Sequence, residues 1–163
     1  MKRQADLWTL RKFQQASHSH LNGAQSVLEK YTTPPRNKPA LMPATAVYLT
    51  HVALECGMKA RLLRKTGCNT VSEFCKKQPI LYGKLFHSKI GHDINELSVG
   101  VNVQSLYRTD GKTWKNDTCW KRIIKRERPY TLRYGAEAVT VTVANEEITR
   151  VSELLDVLFL GIR

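Results

Sequence analysis

The sequence predicts a mainly α fold, an up-down bundle of four to five helices. Three observations predict it. Most of the chain places apolar residues three and four positions apart, the spacing of one helix face. Glycine and proline cluster between those stretches, where turns belong. Only Ala138 to Ala144 alternates apolar and polar residues with the period of a strand. The prediction therefore permits one small β-hairpin near residues 130–144 and nothing larger. At 163 residues the chain reads as a single domain, residues 1–163, with enough length for a substantial core.

Taken in order, the first helix is predicted from about Lys2 to Tyr31. Leu7, Leu10, Phe13, Ala16, His20, Ala24, Val27 and Leu28 give its helical spacing. Asn22-Gly23 is expected to bend or interrupt it, because glycine is a poor interior helix residue. Thr32 to Pro43 holds Pro34, Pro35, Pro39 and Pro43 and reads as a connector, since proline lacks the amide donor and restricts its predecessor.

The second helix is predicted from about Ala44 to Lys65. Leu49, Val52, Ala53, Cys56, Ala60 and Leu63 form its apolar stripe, and Gly67 is placed to stop it. Thr70 with Glu73 three residues on is a capping box for a short helix, and Pro79 to Phe86 reads as another short helix or turn. Gly91 to Tyr107 is predicted helical, with Ile94, Leu97, Val101 and Val103 inward, and Asp110-Gly111 marks a turn. Asn116 to Arg128 sets Trp120, Ile123 and Ile124 against a basic face. Tyr130–Tyr134 and Ala138–Ala144 would form the hairpin around Gly135. Asn145 would then cap the last helix, with Glu146 and Glu147 in its first turn, and Ile148, Val151, Leu154, Leu155 and Leu158 on its apolar face.

Charge is the strongest compositional signal. Twenty-six lysines and arginines against fourteen acids give a net charge of +12 and a pI near 9.8. That balance fits a polyanionic partner, such as RNA, DNA or an acidic protein. No run of apolar residues is long enough to span a bilayer. No apolar stretch follows Lys2-Arg3, so a secretory leader is not indicated and a cytoplasmic setting is expected. Cys56, Cys68, Cys75 and Cys119 then read as free thiols, and none of the familiar zinc spacings occurs. Neither a metal nor a cofactor is implied.

Two constellations stand out. His51, Glu55 and Lys59 follow at four-residue steps along one face of a helix that is apolar nearly all round. A carboxylate on a buried helix needs partners. Lys59 is the nearest, His92 is a further one, and Arg133 is a third. Asp93 has a local role as a helix cap, with Glu96 three residues later. The second constellation is the basic helix, where Lys115, Lys121, Arg122, Lys125, Arg126 and Arg128 accompany Trp114, Trp120 and Tyr130. Cations on one face with aromatics nearby can neutralise phosphates and offer a stacking surface.

Tyr48 to Ala60, then Gly91-His92-Asp93-Ile94-Asn95-Glu96-Leu97, then Leu132-Arg133-Tyr134, together resemble the HEPN superfamily, an all-helical domain of prokaryotic toxin and defence proteins. The similarity spans roughly Ala44 to Tyr134. It implies an up-down bundle that homodimerises, with a cleft at or near the dimer interface lined by Glu55, Lys59, His92, Asp93, Arg133 and Tyr134. Lys121, Arg122, Lys125, Arg126 and Arg128 would hold the phosphates of RNA or a nucleotide. The resemblance implies that catalytic members are metal-independent ribonucleases that use an arginine and a histidine with four to six residues between them. Here Arg11 and His18 have that spacing, but early in the chain where the family motif lies late. With twelve arginines and five histidines, about one such spacing arises by chance. The candidate catalytic residues are therefore Arg11 with His18, or His92 with Arg133. The resemblance implies a binding module first and a ribonuclease second. The third alternative is a basic subunit that neutralises an acidic protein.

Overall fold

The computed structural model describes residues 8–30, 41–86, 93–126, 132 and 138–160. Seven α-helices occur among them: α1 (Leu10–Glu29), α2 (Leu41–Lys65), α3 (Val71–Lys77), α4 (Pro79–Leu85), α5 (Ile94–Val101), α6 (Thr118–Lys125) and α7 (Val141–Phe159). Single 3-10 turns at Val103–Ser105 and Trp114–Asn116 join α5 to α6. The mainly helical class is as predicted. Most of the connector and of the first hairpin segment, together with His92, Arg128, Arg133 and Tyr134, lies outside the described residues.

Three long helices carry the core. Helices α1 and α2 run antiparallel: Ser17 Oγ donates to Ala53 O at 2.8 Å, and Leu10 N donates to Asn69 O at 2.9 Å. Helix α7 runs parallel to α2, because His51 lies beside Glu147 while Arg61 Nη1 donates to Leu158 O at 3.4 Å. A simple up-down order alternates neighbours. Here the four short helices between α2 and α7 carry the chain back, and two long neighbours point the same way.

Each boundary follows from local chemistry. Thr9 caps α1 by accepting from Lys12 N at 3.2 Å, so α1 begins at Leu10, and the expected helical residues Lys2 to Leu7 lie outside the described residues. It then runs through Asn22-Gly23 without a break. Its buried stripe is Phe13, Ser17, Leu21, Ala24 and Leu28, with a serine where the close approach to α2 leaves no room for more. Helix α2 ends in a Schellman turn: Gly67 adopts φ +62°, Gly67 N donates to Arg64 O at 2.9 Å, and Cys68 N donates to Leu63 O at 2.8 Å. Thr70 and Glu73 form the capping box that opens α3, and Asp93 caps α5 through Asn95 N and Glu96 N.

No hairpin occurs among the described residues. Val141 to Ala144, expected in a strand, form the first turn of α7, which is capped by Thr140 accepting from Val143 N at 3.2 Å. The Val-Thr alternation is genuine, but the described residues offer it no neighbouring strand. A threonine cap followed by Ala144, Ile148 and Val151 on one buried face favours the helix. Asn145 is accordingly an exposed interior residue and not the cap.

The main core gathers Leu54, Met58, Leu97, Trp114, Trp120, Ile123, Leu132, Leu154, Leu155 and Leu158 from the long helices and their cover. Trp114 and Trp120 meet edge to face at 6.0 Å. A smaller core of Phe13, Ala60, Leu63, Cys68, Val71 and Phe74 lies under the corner where α1 begins and α2 ends.

Candidate functional site

The densest polar chemistry lies where α2, α6 and α7 meet. Glu147 comes from the second turn of α7 and is fully buried. It falls in phase with Ala144, Val151, Leu154 and Leu158, so helix geometry aims it at the core. Arg126, at the C-terminal cap of α6, grips it with both nitrogens: Nη1 donates to Oε2 at 2.7 Å and Nη2 to Oε1 at 3.1 Å. Arg122 Nε donates to the same Oε1 at 3.0 Å, while its Nη2 reaches Glu146 Oε2 at 2.9 Å. Oε1 of Glu147 thus accepts from both arginines and Oε2 from Arg126.

His51 of α2 completes the cluster and is buried with only 2% exposure. Its Nε2 lies 2.8 Å from Arg126 Nη1 and 3.5 Å from Glu147 Oε2. A guanidinium has only protons to offer. In the shorter contact Nε2 therefore faces Arg126 as an acceptor, with Glu147 Oε2 further off. Burial pushes the Glu147 carboxyl up, yet His51, Arg126 and the Arg126 charge bring it down to about 2.

A second network pins the 107–117 segment to α7. Asp117 caps α6 through Trp120 N at 2.6 Å, and its other oxygen meets Arg108 Nη1 at 2.6 Å and Arg150 Nε at 3.3 Å. Glu153 accepts from Thr109 N at 3.1 Å, from Thr109 Oγ1 at 2.8 Å and from Arg150 Nη1, through its other oxygen, at 2.7 Å. Burial opposes ionisation there, but Thr109 and Arg150 hold its carboxyl below the usual range. Arg108 also lies over the Trp114 ring at 5.8 Å. The turn itself forms at Asp110-Gly111 as expected, with Gly111 at φ +77°.

No family model, curated protein or solved structure matches this chain. Geometry and chemistry are therefore what indicate a role for the site.

Of the cleft residues named from sequence, Glu55 and Lys59 pair at 2.6 Å and are largely buried. Lys59 Nζ stands 5.6 Å from the centre of the Phe86 ring. Asp93 is exposed and serves as the α5 cap. Arg11 and His18 both lie on the outer side of α1, two turns apart, and His18 packs its ring 5.3 Å from that of Phe159. Of the phosphate-holding set, Lys121 and Lys125 are exposed, Arg122 is half-buried, and the Arg126 side chain is 7% exposed. The basic helix therefore divides in two: its arginines turn inward to carboxylates and its lysines face water.

Sequence reasoning missed the central role of Glu147. A periodic signal for it exists, since 144, 147, 151, 154 and 158 share one stripe. Starting the helix at Asn145 put Glu147 in an exposed first turn and hid that phase. Among the described residues no group of acidic, histidine and cysteine side chains has the makings of a metal site.

Proposed function

We propose that the chain is a HEPN-like helical module that binds RNA or a nucleotide through exposed lysines, in a toxin or antiphage setting. The binding part rests on one observation. The four described arginines of the 108–150 region, Arg108, Arg122, Arg126 and Arg150, pair with carboxylates. Of the four lysines of the same region, Lys112 lies 3.8 Å from Asp110, whereas Lys115, Lys121 and Lys125 are exposed and no ion pair is found for them among the described residues. Much of the acidic charge is thus used internally, and the excess of positive charge is left at the surface as compact ammonium groups suited to phosphate. The setting, and a homodimer, come from the resemblance of Tyr48–Ala60, Gly91–Leu97 and Leu132-Arg133-Tyr134 to HEPN proteins.

Measuring RNA affinity as a function of salt tests this reading. Affinity should fall steeply with log salt. Lys121→Glu with Lys125→Glu should weaken binding and flatten the slope by about one unit for each phosphate no longer neutralised. A slope near zero would remove it.

One observation favours a second reading, a metal-independent ribonuclease: His51 and Arg126 do meet. Both are buried, however, so a phosphate reaches them only if the cluster opens. Cleavage of structured RNA in EDTA that disappears in His51→Ala would support this reading, and absence of cleavage under all conditions would end it.

A further inference from the structure

The ends of α1, α2 and α3 converge on one corner, away from the α6 lysines. Val71 N donates to Trp8 O at 3.1 Å and Leu10 N to Asn69 O at 2.9 Å, which stitches the start of α1 to the start of α3. Lys77 Nζ donates to Gly67 O at 2.9 Å, which brings the end of α3 onto the turn that closes α2. Six exposed cations belong to these helix ends: Arg11 and Lys12, Arg64 and Lys65, Lys76 and Lys77. Glu73, a carboxylate of this corner, is engaged by Asn69 N at 2.6 Å and Thr70 N at 3.3 Å.

Cations at a helix C-terminus need no special account, because the dipole favours them there. That covers the last turns of α2 and α3. It does not cover Arg11 and Lys12. They occupy the first turn of α1, which carries no acid and where the dipole disfavours positive charge. Trp8 adds a second unusual choice. Its ring stacks on Phe13 at 5.2 Å and 21°, backed by the smaller core, yet 46% of the residue faces water. Trp114 and Trp120 are fully buried. A rigidly backed aromatic face beside exposed cations is the chemistry of a base-stacking platform that also holds phosphate.

We infer that this corner binds single-stranded nucleic acid, with Trp8 stacking on a base and Arg11 and Lys12 holding the adjoining phosphates. The inference rests on the nucleic-acid reading above and names a different surface for it. RNA and single-stranded DNA offer the same two features, so the experiment includes both.

The full-length protein is titrated with oligo(U), oligo(dT) and heparin while tryptophan emission is followed. Trp8 is the solvent-exposed tryptophan, so quenching of the acrylamide-accessible emission reports on this corner. Either oligonucleotide should quench it, and heparin, which has charge but no bases, should not. Arg11→Glu with Lys12→Glu, both at exposed positions, should lower oligonucleotide affinity by roughly tenfold or more and reduce the salt slope. Trp8→Leu should weaken oligonucleotide binding while leaving heparin binding and the melting temperature close to those of the parent. A preference for oligo(U) over oligo(dT) would assign the site to RNA, and equal binding to single strands of either kind. Oligonucleotide binding that leaves Trp8 emission unchanged and ignores the charge reversal, but is lost in Lys121→Glu with Lys125→Glu, overturns this inference and leaves the module reading intact. Equal quenching by heparin also overturns it. Absence of any oligonucleotide binding overturns both.

Discussion

Glu147 decides more than any other single residue. It is a fully buried carboxylate held by two arginines, with a folded pKa of about 2 against an ordinary value of 4.5. A folded-state pKa below the unfolded one means stability that is complete above about pH 4.5 and lost as pH falls toward 2. The displacement corresponds to something of the order of 3 kcal/mol. Urea unfolding of the parent and of Glu147→Gln should therefore differ most near neutral pH, and the gap should shrink between about pH 5 and pH 2. A gap independent of pH would show that the charge does not stabilise the fold. Glu147→Ala should cost about 3–5 kcal/mol and be the harsher change, because it removes the acceptor oxygens of the buried Arg126 as well as its counter-ion. Two thiols also have a defined expectation. Burial pushes Cys56 and Cys119 up to about 11. Both should resist alkylation at pH 8 in the native state and react once the protein is unfolded, a difference that mass spectrometry reads directly.

At the scale of elements, two helix-interior glycines have opposite meanings. A Cβ added at Gly57 of α2 would sit 2.2 Å from Leu155 Cδ2 of α7 and 3.2 Å from Ser17 Oγ of α1, so three long helices meet at this point. A Cβ at Gly23 of α1 would meet Leu49 Cδ1 at an ordinary 3.7 Å. Gly23→Ala should raise stability by up to about 1 kcal/mol through helix propensity alone. Gly57→Ala gains the same propensity but displaces a packed leucine, an overpacking that costs about 1–3 kcal/mol, and should lower the melting temperature. In a Leu155→Ala background the clash is gone, so Gly57→Ala should turn neutral or stabilising. A failure of that sign reversal would show that the helices are not this close. Thr140 tests the start of α7: Thr140→Ala should cost about 1 kcal/mol. No effect would place the true cap elsewhere.

At the scale of the whole molecule, the described arginines of the 108–150 region are paired with carboxylates while Lys115, Lys121 and Lys125 face water. Buried pairs such as Arg126–Glu147 are poorly screened by salt, whereas repulsion among exposed lysines is screened well. Raising sodium chloride from 0.05 to 0.5 M, a range that takes the Debye length from about 14 to about 4 Å, should increase the melting temperature of this +12 protein. A decrease would mean that exposed ion pairs dominate its electrostatics. The same salt should weaken polyanion binding, so stability and affinity are expected to move in opposite directions. That divergence separates a cationic binding surface from charge that serves the fold.

Local chemistry made much of the architecture legible. The Thr70–Glu73 box, the Asp93 cap, the Gly67 stop and the Asp110-Gly111 turn each depend on a few adjacent residues, and each is present in the structure. The apolar stripes of α5 and the later part of α7 followed from period alone, whereas that of α2 did so only in part, since Leu54 and Met58 are buried and Leu49 and Val52 are half-buried. Three things did not follow. The alternation at 139–143 has the period of a strand, and only the lack of a neighbouring strand among the described residues and the Thr140 cap make it helical. The parallel course of α2 and α7 depends on how the short helices return the chain. The division of the basic helix, with Arg122 and Arg126 bound to Glu147 and Lys121 and Lys125 facing water, depends on a carboxylate more than twenty residues away. By itself the sequence determined that the chain would be helical, capped and strongly cationic, because those properties are local or additive. Only the tertiary structure decided which charges meet, because a buried ion pair is fixed by distance in space and not by distance along the chain.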